Sequence, residues 1–111
     1  MEQITWQDFK KVEIRTGTIT NAEHFPEAKK PAYRLTIDFG AYGVLKSSAQ
    51  IAALYQPADL IGKQVVAVIN FPKKQVANFI SECLVLGAVQ HDGSVVLLQT
   101  EQNAPNGLRI A

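Results

Sequence analysis

The sequence is poor in the features that mark several protein classes. Its 111 residues include one cysteine and one tryptophan, and the formal net charge is only +1. A lone cysteine excludes an internal disulfide, and Cys83 with His24 and His91 lacks the spacing of a zinc site. The low net charge excludes the general cationic field of a histone-like protein. Any binding of polyanions therefore has to come from a local patch of charge.

Long apolar runs and a recognisable leader are also missing. No apolar run approaches the roughly 20 residues that a membrane span needs. The start, MEQITWQDFKK, has neither the basic region nor the apolar region of a signal peptide. A single free thiol fits a reducing compartment. We therefore expect a cytoplasmic protein with no membrane insertion.

The sequence does contain short alternating segments between turn residues. Thr5 followed by Asp8 predicts a capping box on a short first helix. VEIRTGTIT (12–20) predicts the first strand, with Gly17 at a bulge or a sharp bend. In YRLTIDFG (33–40) every second residue is apolar, which predicts a strand with one buried face.

The second half of the chain continues this pattern. VLKSSAQI (44–51) predicts a third strand and AALYQPADLIG (52–62) a short helix. KQVVAVINF (63–71) is apolar on both alternating faces, which is typical of a central strand. ECLVLGAVQ (82–90) and SVVLLQT (94–100) predict two further strands joined by a turn at HDG.

This order of elements predicts one all-β domain over residues 1–111. Short strands with a helix between the third and fourth are typical of the OB-fold, a five-stranded Greek-key barrel. We expect a short N-terminal helix and C-terminal strand extensions around that barrel. An SH3-like barrel or a sandwich is the alternative.

No set of residues predicts an active site. Ser47 and Ser48 belong to no nucleophile motif, because neither G-x-S-x-G nor S-x-x-K is present. Cys83 begins an apolar stretch, so we expect it to pack as a small hydrophobe with a raised pKa. The sequence therefore predicts a protein that is not an enzyme and needs no metal or cofactor.

Clustered basic residues predict a binding surface instead. Lys73 and Lys74 are matched by no acid between residues 60 and 81, and Arg34 and Lys46 lie on adjacent predicted strands. In an OB barrel this region and its flanking loops contact ligands. Phe79 adds a side chain for stacking or apolar contact. The alternative is that Lys73 and Lys74 only keep a loop tip soluble.

Several segments together resemble CsaA-type secretion chaperones, a family within the wider class of tRNA-binding domains. They are VEIRTGTI (12–19), AKKPAYRLTIDFG (28–40), SSAQI (47–51), GKQVVAVINFPKKQVANFISECLVLG (62–87) and APNG (104–107). The resemblance covers nearly the whole chain, and the order and spacing of the segments are what make it specific.

The resemblance implies a homodimeric OB-fold protein that holds unfolded, export-destined polypeptides and works with export machinery. It implies that residues 1–11 and about 94–111 are dimerising extensions, and their apolar side chains Trp6, Phe9, Leu108 and Ile110 are the candidates for the interface. Binding of tRNA through the same groove is the alternative function. The resemblance and the charge pattern together give these candidate ligand contacts: Arg34, Lys46, Ser47, Ser48, Asn70, Lys73, Lys74, Phe79 and Ser81.

Overall fold

The structure is a computed structural model that describes residues 1–111. It has two short helices, α1 (Trp6–Lys10) and α2 (Pro57–Leu60), neither of which is long and apolar enough to cross a membrane. A 3₁₀ turn at Gly40–Tyr42 joins the second and third strands. The strands in chain order are β1 (Ile14–His24), β2 (Tyr33–Asp38), β3 (Val44–Ala49), β4 (Gln64–Val68), β5 (Lys74–Val76), β6 (Phe79–Ser81), β7 (Leu84–Val85), β8 (Gly87–Val89) and β9 (Val95–Leu97).

The predicted capping box starts α1. The Asp8 N–H donates to the Thr5 hydroxyl over 3.1 Å, and the Thr5 N–H donates to the Asp8 carboxylate over 3.0 Å. Two N–H groups that a helix start would leave without partners are thereby satisfied. The helix is only five residues long, so the local cap and its neighbours position it rather than its own length.

Five strands form one antiparallel sheet in the order β3, β2, β1, β4, β7. The long strand β1 is its centre, since its first half pairs with β4 and its second half with β2. The sheet nearly closes where the Glu82 N–H donates to the Lys46 carbonyl over 2.7 Å and the Ser47 hydroxyl donates to the Cys83 carbonyl over 2.9 Å. This five-stranded barrel, with α2 between β3 and β4 along the chain, confirms the predicted OB-fold.

The barrel interior holds the hydrophobic core. Tyr33, Leu35, Ile37 and Phe39 are each at most 3% exposed, which confirms the predicted inward face of β2. In β4, residues 65–68 are all buried, so that strand is covered on both faces as predicted. Each large apolar side chain buried in this way contributes about 1.5–3 kcal/mol to folding.

A bulge, one of the two alternatives predicted for Gly17, is not found at that position. The bulge in β1 lies between Ile19 and Asn21, not at Gly17. A Cβ at Gly17 would lie 2.6 Å from Phe39 Cε1 and 2.8 Å from Ile37 Cγ2. The glycine is therefore required because two core side chains pack directly against the backbone of β1.

The connection after β4 contains a hairpin that the sequence analysis missed. β5 and β6 pair antiparallel, with Lys74 opposite Ser81 and Val76 opposite Phe79. The turn between them places Ala77 at a φ of 51°, in the left-handed region that non-glycine residues rarely adopt. Neither glycine nor an Asn-Gly pair marks this turn, so the usual sequence signal is missing.

The C-terminal part adds two extensions to the barrel. β8 and β9 form the predicted hairpin, and Gly93 in its turn has a φ of 87°. Residues 107–110 then run beside β1, where the Thr16 N–H donates to the Leu108 carbonyl over 3.0 Å. Arg109 forms an ion pair with Glu13, which ties the chain end to the segment before β1.

Candidate functional site

A groove of about 790 Å³ opens beside the end of β3 and the β5–β6 hairpin. We call it the β3 groove. Its polar lining includes Ser48, Gln50 and Ser81, and its charged lining includes Lys29, Lys74 and Glu82. Its apolar lining includes Phe71, Pro72, Val76 and Leu84. The groove therefore offers apolar contact, hydrogen-bonding groups and positive charge side by side.

The predicted lysine pair divides into two different environments. Lys74 lines the β3 groove and forms no ion pair. Lys73 is 72% exposed and lies outside the groove lining, with its Nζ 3.6 Å from a Glu82 carboxylate oxygen. Residues 60–81 contain no acid, and the acid that pairs with Lys73 is Glu82, the residue directly after that range. Lys74 is the available cation of the pair.

Ser48 and Ser81, two of the candidate ligand contacts, both line the groove and are joined by a hydrogen bond. The Ser48 N–H donates to the Ser81 hydroxyl oxygen over 3.1 Å, which joins β3 to β6. Ser47 is 1% exposed, and its hydroxyl is used by the Cys83 carbonyl. The expectation of a ligand contact from Ser47 does not fit this position, because alternation along β3 places its side chain inside the barrel.

Lys46 closes the barrel with its main chain and exposes its side chain. Its N–H donates to the Glu82 carboxylate over 3.0 Å, and its carbonyl accepts from the Glu82 N–H. The side chain forms no ion pair and does not line the β3 groove. Lys46 is therefore a free surface cation beside the groove rather than part of its wall.

Arg34 and Phe79 lie together outside the groove lining. The Arg34 guanidinium carbon is 5.4 Å from the centre of the Phe25 ring, and its Nε is 3.4 Å from a Glu23 carboxylate oxygen. Phe25 in turn packs on Phe79, with ring centres 5.4 Å apart. These contacts hold the loop after β1 against the β5–β6 hairpin, so Arg34 is partly neutralised and partly covered there.

Asn70 has a structural role in this molecule. Its side-chain amide donates to the Lys11 carbonyl over 2.7 Å and accepts from the Glu13 N–H over 3.0 Å. Both ends of the amide are therefore engaged in holding the segment after α1 against the end of β4. The expected ligand contact from Asn70 would require these two hydrogen bonds to break.

Most residues that line the groove were absent from the predicted contacts, among them Lys29, Gln50, Phe71 and Leu84. Lys29 and Lys30 were visible as a basic pair, but only the folded loop after β1 brings them to β3. They also line an adjoining cavity of about 350 Å³, which shares Ser48 and Gln50 with the groove. Phe71 and Leu84 are 54% and 48% exposed, and unlike core residues they form an accessible apolar end.

Cys83 belongs to the buried core, although it also lies behind the lining of the β3 groove. Its side chain is 5% exposed within the core, and burial raises the pKa of its thiol to about 12. At neutral pH the thiol is therefore protonated, which makes it a poor nucleophile. The predicted packing role of Cys83 is confirmed.

The four candidate interface residues belong to two chain ends that the fold brings together. Arg109 donates to the Lys10 carbonyl over 2.9 Å, which joins the C-terminal segment to the end of α1. Trp6 is 60% exposed and lies 5.6 Å from Phe9 between ring centres. Leu108 is also exposed, and Phe9 and Ile110 are half-buried.

The chain is similar to solved chaperone structures over its whole length. Chaperone CsaA from Bacillus anthracis is 54% identical with a TM-score of 0.95, and the match covers 99% of this chain and 100% of that one. The CsaA chaperone protein from Picrophilus torridus is 52% identical with a TM-score of 0.90, covering 98% of this chain and 100% of that one.

Larger proteins contain a similar segment. Methionine–tRNA ligase 1 from Sorangium cellulosum is 38% identical over 108 residues, which are 97% of this chain and 15% of that protein. The chain thus spans about 15% of the length of the curated relatives it matches first. Residues 14–109 match the family model described as "Putative tRNA binding domain". The chain belongs to this family of tRNA-binding domains, and within it is a CsaA-like member.

Proposed function

We propose that this protein is a non-enzymatic, homodimeric chaperone of the CsaA type, which binds unfolded, export-destined polypeptides through the β3 groove. The observation that carries this proposal is the 54% identity to a chaperone, in a match that covers 99% of this chain and 100% of that one. We place its action in the cytoplasm, where export-destined polypeptides are still unfolded and the export machinery can receive them.

The composition of the groove supports a polypeptide ligand. Phe71 and Leu84 give apolar side chains a surface to cover, while Lys74 offers a charge beside them. Unfolded chains expose apolar side chains that folded proteins bury. A groove that combines apolar and polar contacts accepts many sequences, as a chaperone must.

The homodimer would use the apolar side chains of the two joined chain ends. Trp6 and Leu108 are exposed in the single chain, and burial of such side chains drives association. Residues 1–11 and about 94–111 would form the interface, with Phe9 and Ile110 beside them. Two grooves on one body raise the avidity for a long client. Sedimentation as a monomer at micromolar concentration would contradict this part of the proposal.

Binding of tRNA is the second candidate function. The family model and the methionine–tRNA ligase relatives favour it. Four lysines around the groove form no ion pair within the chain, so they are free to meet phosphates. They are Lys29, Lys30, Lys46 and Lys74.

A paired titration separates the two functions. An unfolded preprotein segment and a tRNA are each titrated at low and high salt against the wild type and the variants Lys74→Ala and Lys73→Ala. Each phosphate contact adds about 0.7 to 0.9 to the slope of log K against log salt. For a polypeptide ligand we expect binding with a shallow slope, and for tRNA no saturable binding near micromolar concentration.

The two lysine variants form a matched pair for the tRNA arm. If tRNA binds in the groove, Lys74→Ala reduces the salt slope by about one contact, whereas Lys73→Ala reduces it less because Glu82 already neutralises that lysine. Tight tRNA binding with this pattern and no binding of the preprotein segment would replace the chaperone function by the tRNA function.

A further inference from the structure

The outer edge of β3 is only partly covered by the rest of the barrel. Hydrogen-bonded and non-bonded pairs alternate along an antiparallel ladder, so every second residue of an edge strand turns its N–H and C=O outward. Lys46 does so, and Glu82 satisfies both groups. Ser48 is two residues further along, and its N–H is satisfied by the Ser81 hydroxyl. The covering segment thus ends at Ser48.

Beyond this point the edge has free main-chain groups. The Ser48 carbonyl lies in the outward register of β3, and the Gln50 N–H comes two residues on, directly after the strand ends at Ala49. Neither group has a hydrogen-bond partner within the protein. A carbonyl and an N–H that lie two residues apart on one edge can form hydrogen bonds with the main chain of a neighbouring strand. An exposed pair of this kind is a template for another extended chain.

Space is available beside these groups. Ser48 and Gln50 line both the β3 groove and the adjoining cavity, so the open volume runs along the free edge. An added strand lies about 4.8 Å from its neighbour. The far wall is formed by the β5–β6 hairpin, where Val76 lines both spaces.

The two ends of this open volume differ in chemistry. Lys29 and Lys30 line the adjoining cavity and Lys74 lines the groove, and none of the three forms an ion pair. Two carboxylates lie among them, Glu27 in the cavity and Glu82 in the groove, but Glu82 is paired with Lys73, so positive charge is in excess. Phe71 and Leu84 provide the apolar end. Charge complementarity therefore selects a ligand with a negative side chain beside an apolar one.

We propose that the β3 groove binds its client as an added β-strand on the free edge of β3. The client's main chain donates to the Ser48 carbonyl and accepts from the Gln50 N–H, an apolar side chain covers Phe71 and Leu84, and an acidic side chain meets the lysines. This inference rests on the proposed chaperone function and names its substrate class, which is an extended segment with apolar and acidic residues. Helices and sheet interiors are excluded because their main-chain groups are already paired.

The first test is a methylation scan of a peptide. The probe is a fluorescent peptide of about ten residues, a length typical of long strands, with leucines in one half and glutamates in the other; its reversed sequence covers the opposite orientation. A series of peptides is made from whichever sequence binds more tightly, each with one N-methyl group at a different position. The affinity of each peptide is measured by fluorescence anisotropy. When the methylated residue is the one whose N–H donates to the Ser48 carbonyl, we expect about 2- to 10-fold weaker binding, the effect of one lost hydrogen bond. The two flanking positions should change less than about twofold.

The second test uses a matched pair of protein variants. Gln50→Pro removes the free N–H, whereas Gln50→Ala removes only the side chain. We expect Gln50→Pro to bind the peptide about 2- to 10-fold more weakly than Gln50→Ala, because both variants lose the side chain and only the proline also loses the N–H. Thermal melts of both variants show whether the barrel stays folded, and the methylation scan on the wild type is independent of that result.

A second ligand distinguishes a failure of strand addition from a failure of the proposed chaperone function. Reduced and carboxymethylated lactalbumin serves as an unfolded polypeptide in parallel. If it binds the wild type but the peptides show no dependence on N-methylation or on Gln50→Pro, strand addition is wrong while the chaperone function stands. If neither lactalbumin nor the peptides bind, the proposed function itself is wrong.

Discussion

Truncation of Phe71 is the sharpest perturbation of the proposed groove. Phe71 lies just after β4 and lines the apolar end of the β3 groove with 54% of its surface exposed. It is outside the buried core cluster, so the substitution Phe71→Ala leaves the barrel interior intact. A loss of binding in this variant therefore reports on contact with the client.

The magnitude follows from the exposed area. An aromatic side chain covers about 150–250 Å², so roughly 100 Å² of Phe71 is free for contact. If a client covers all of it, the contribution is about 2.5 kcal/mol at 25 cal/mol per Å², or roughly 70-fold in Kd. Coverage of half the area gives about 1.2 kcal/mol, or roughly 8-fold. We therefore expect Phe71→Ala to weaken binding by about 8- to 70-fold.

The assay is a titration of labelled, unfolded lactalbumin followed by anisotropy, with Ile61→Ala as the control. Ile61 is 51% exposed but lies at the end of α2, outside the groove. The control should bind like the wild type, and urea unfolding should show similar stability for both variants. Wild-type affinity in Phe71→Ala, or an equal loss in Ile61→Ala, would refute the assignment of the groove.

Three further variants or conditions test the fold. Gly17→Ala should cost about 1–3 kcal/mol in urea unfolding, because its Cβ would overlap core side chains; an unchanged midpoint would contradict that packing. Cys83 should react with a thiol reagent at pH 8 only after unfolding, since burial raises its pKa to about 12; rapid reaction of the folded protein would contradict it. Hydrogen bonds from Arg15 and then Arg109 lower the pKa of Glu13, so its contribution to stability is present above the unfolded pKa and lost as pH falls through the folded one. Glu13→Gln should therefore lower Tm at neutral pH and converge with the wild type in acid, and an equal difference at both pH values would contradict this account.

The barrel was predictable because its signals are local. The alternation in residues 33–39 fixes which face of β2 is buried, and the capping box of Thr5 fixes where α1 starts. The helix between the third and fourth strands indicates the fold class. The β5–β6 hairpin was missed because the residue with positive φ in its turn is Ala77, whereas glycine or asparagine is the usual signal at such a position.

The groove was less predictable because its members meet only through long-range contacts. Asn70 looks like a ligand contact in sequence, but its amide holds the segment after α1. Lys73 looks unpaired in the sequence, but the pairing of β5 with β6 brings Glu82 beside it. Lys29 reaches the groove from the loop after β1, in which Phe25 packs on Phe79 of the β5–β6 hairpin. Such positions depend on tertiary structure, and no local pattern encodes them.

Site-specific photo-crosslinking tests the central claim most directly. A photoreactive benzoyl-phenylalanine is placed at position 71 in one variant and at position 61 in a control, and each is irradiated with unfolded lactalbumin. The account predicts a crosslinked product from position 71 that excess unlabelled unfolded polypeptide suppresses, and little from position 61. Equal crosslinking from both positions, or none from position 71 while the polypeptide binds, would show that clients lie elsewhere on the molecule.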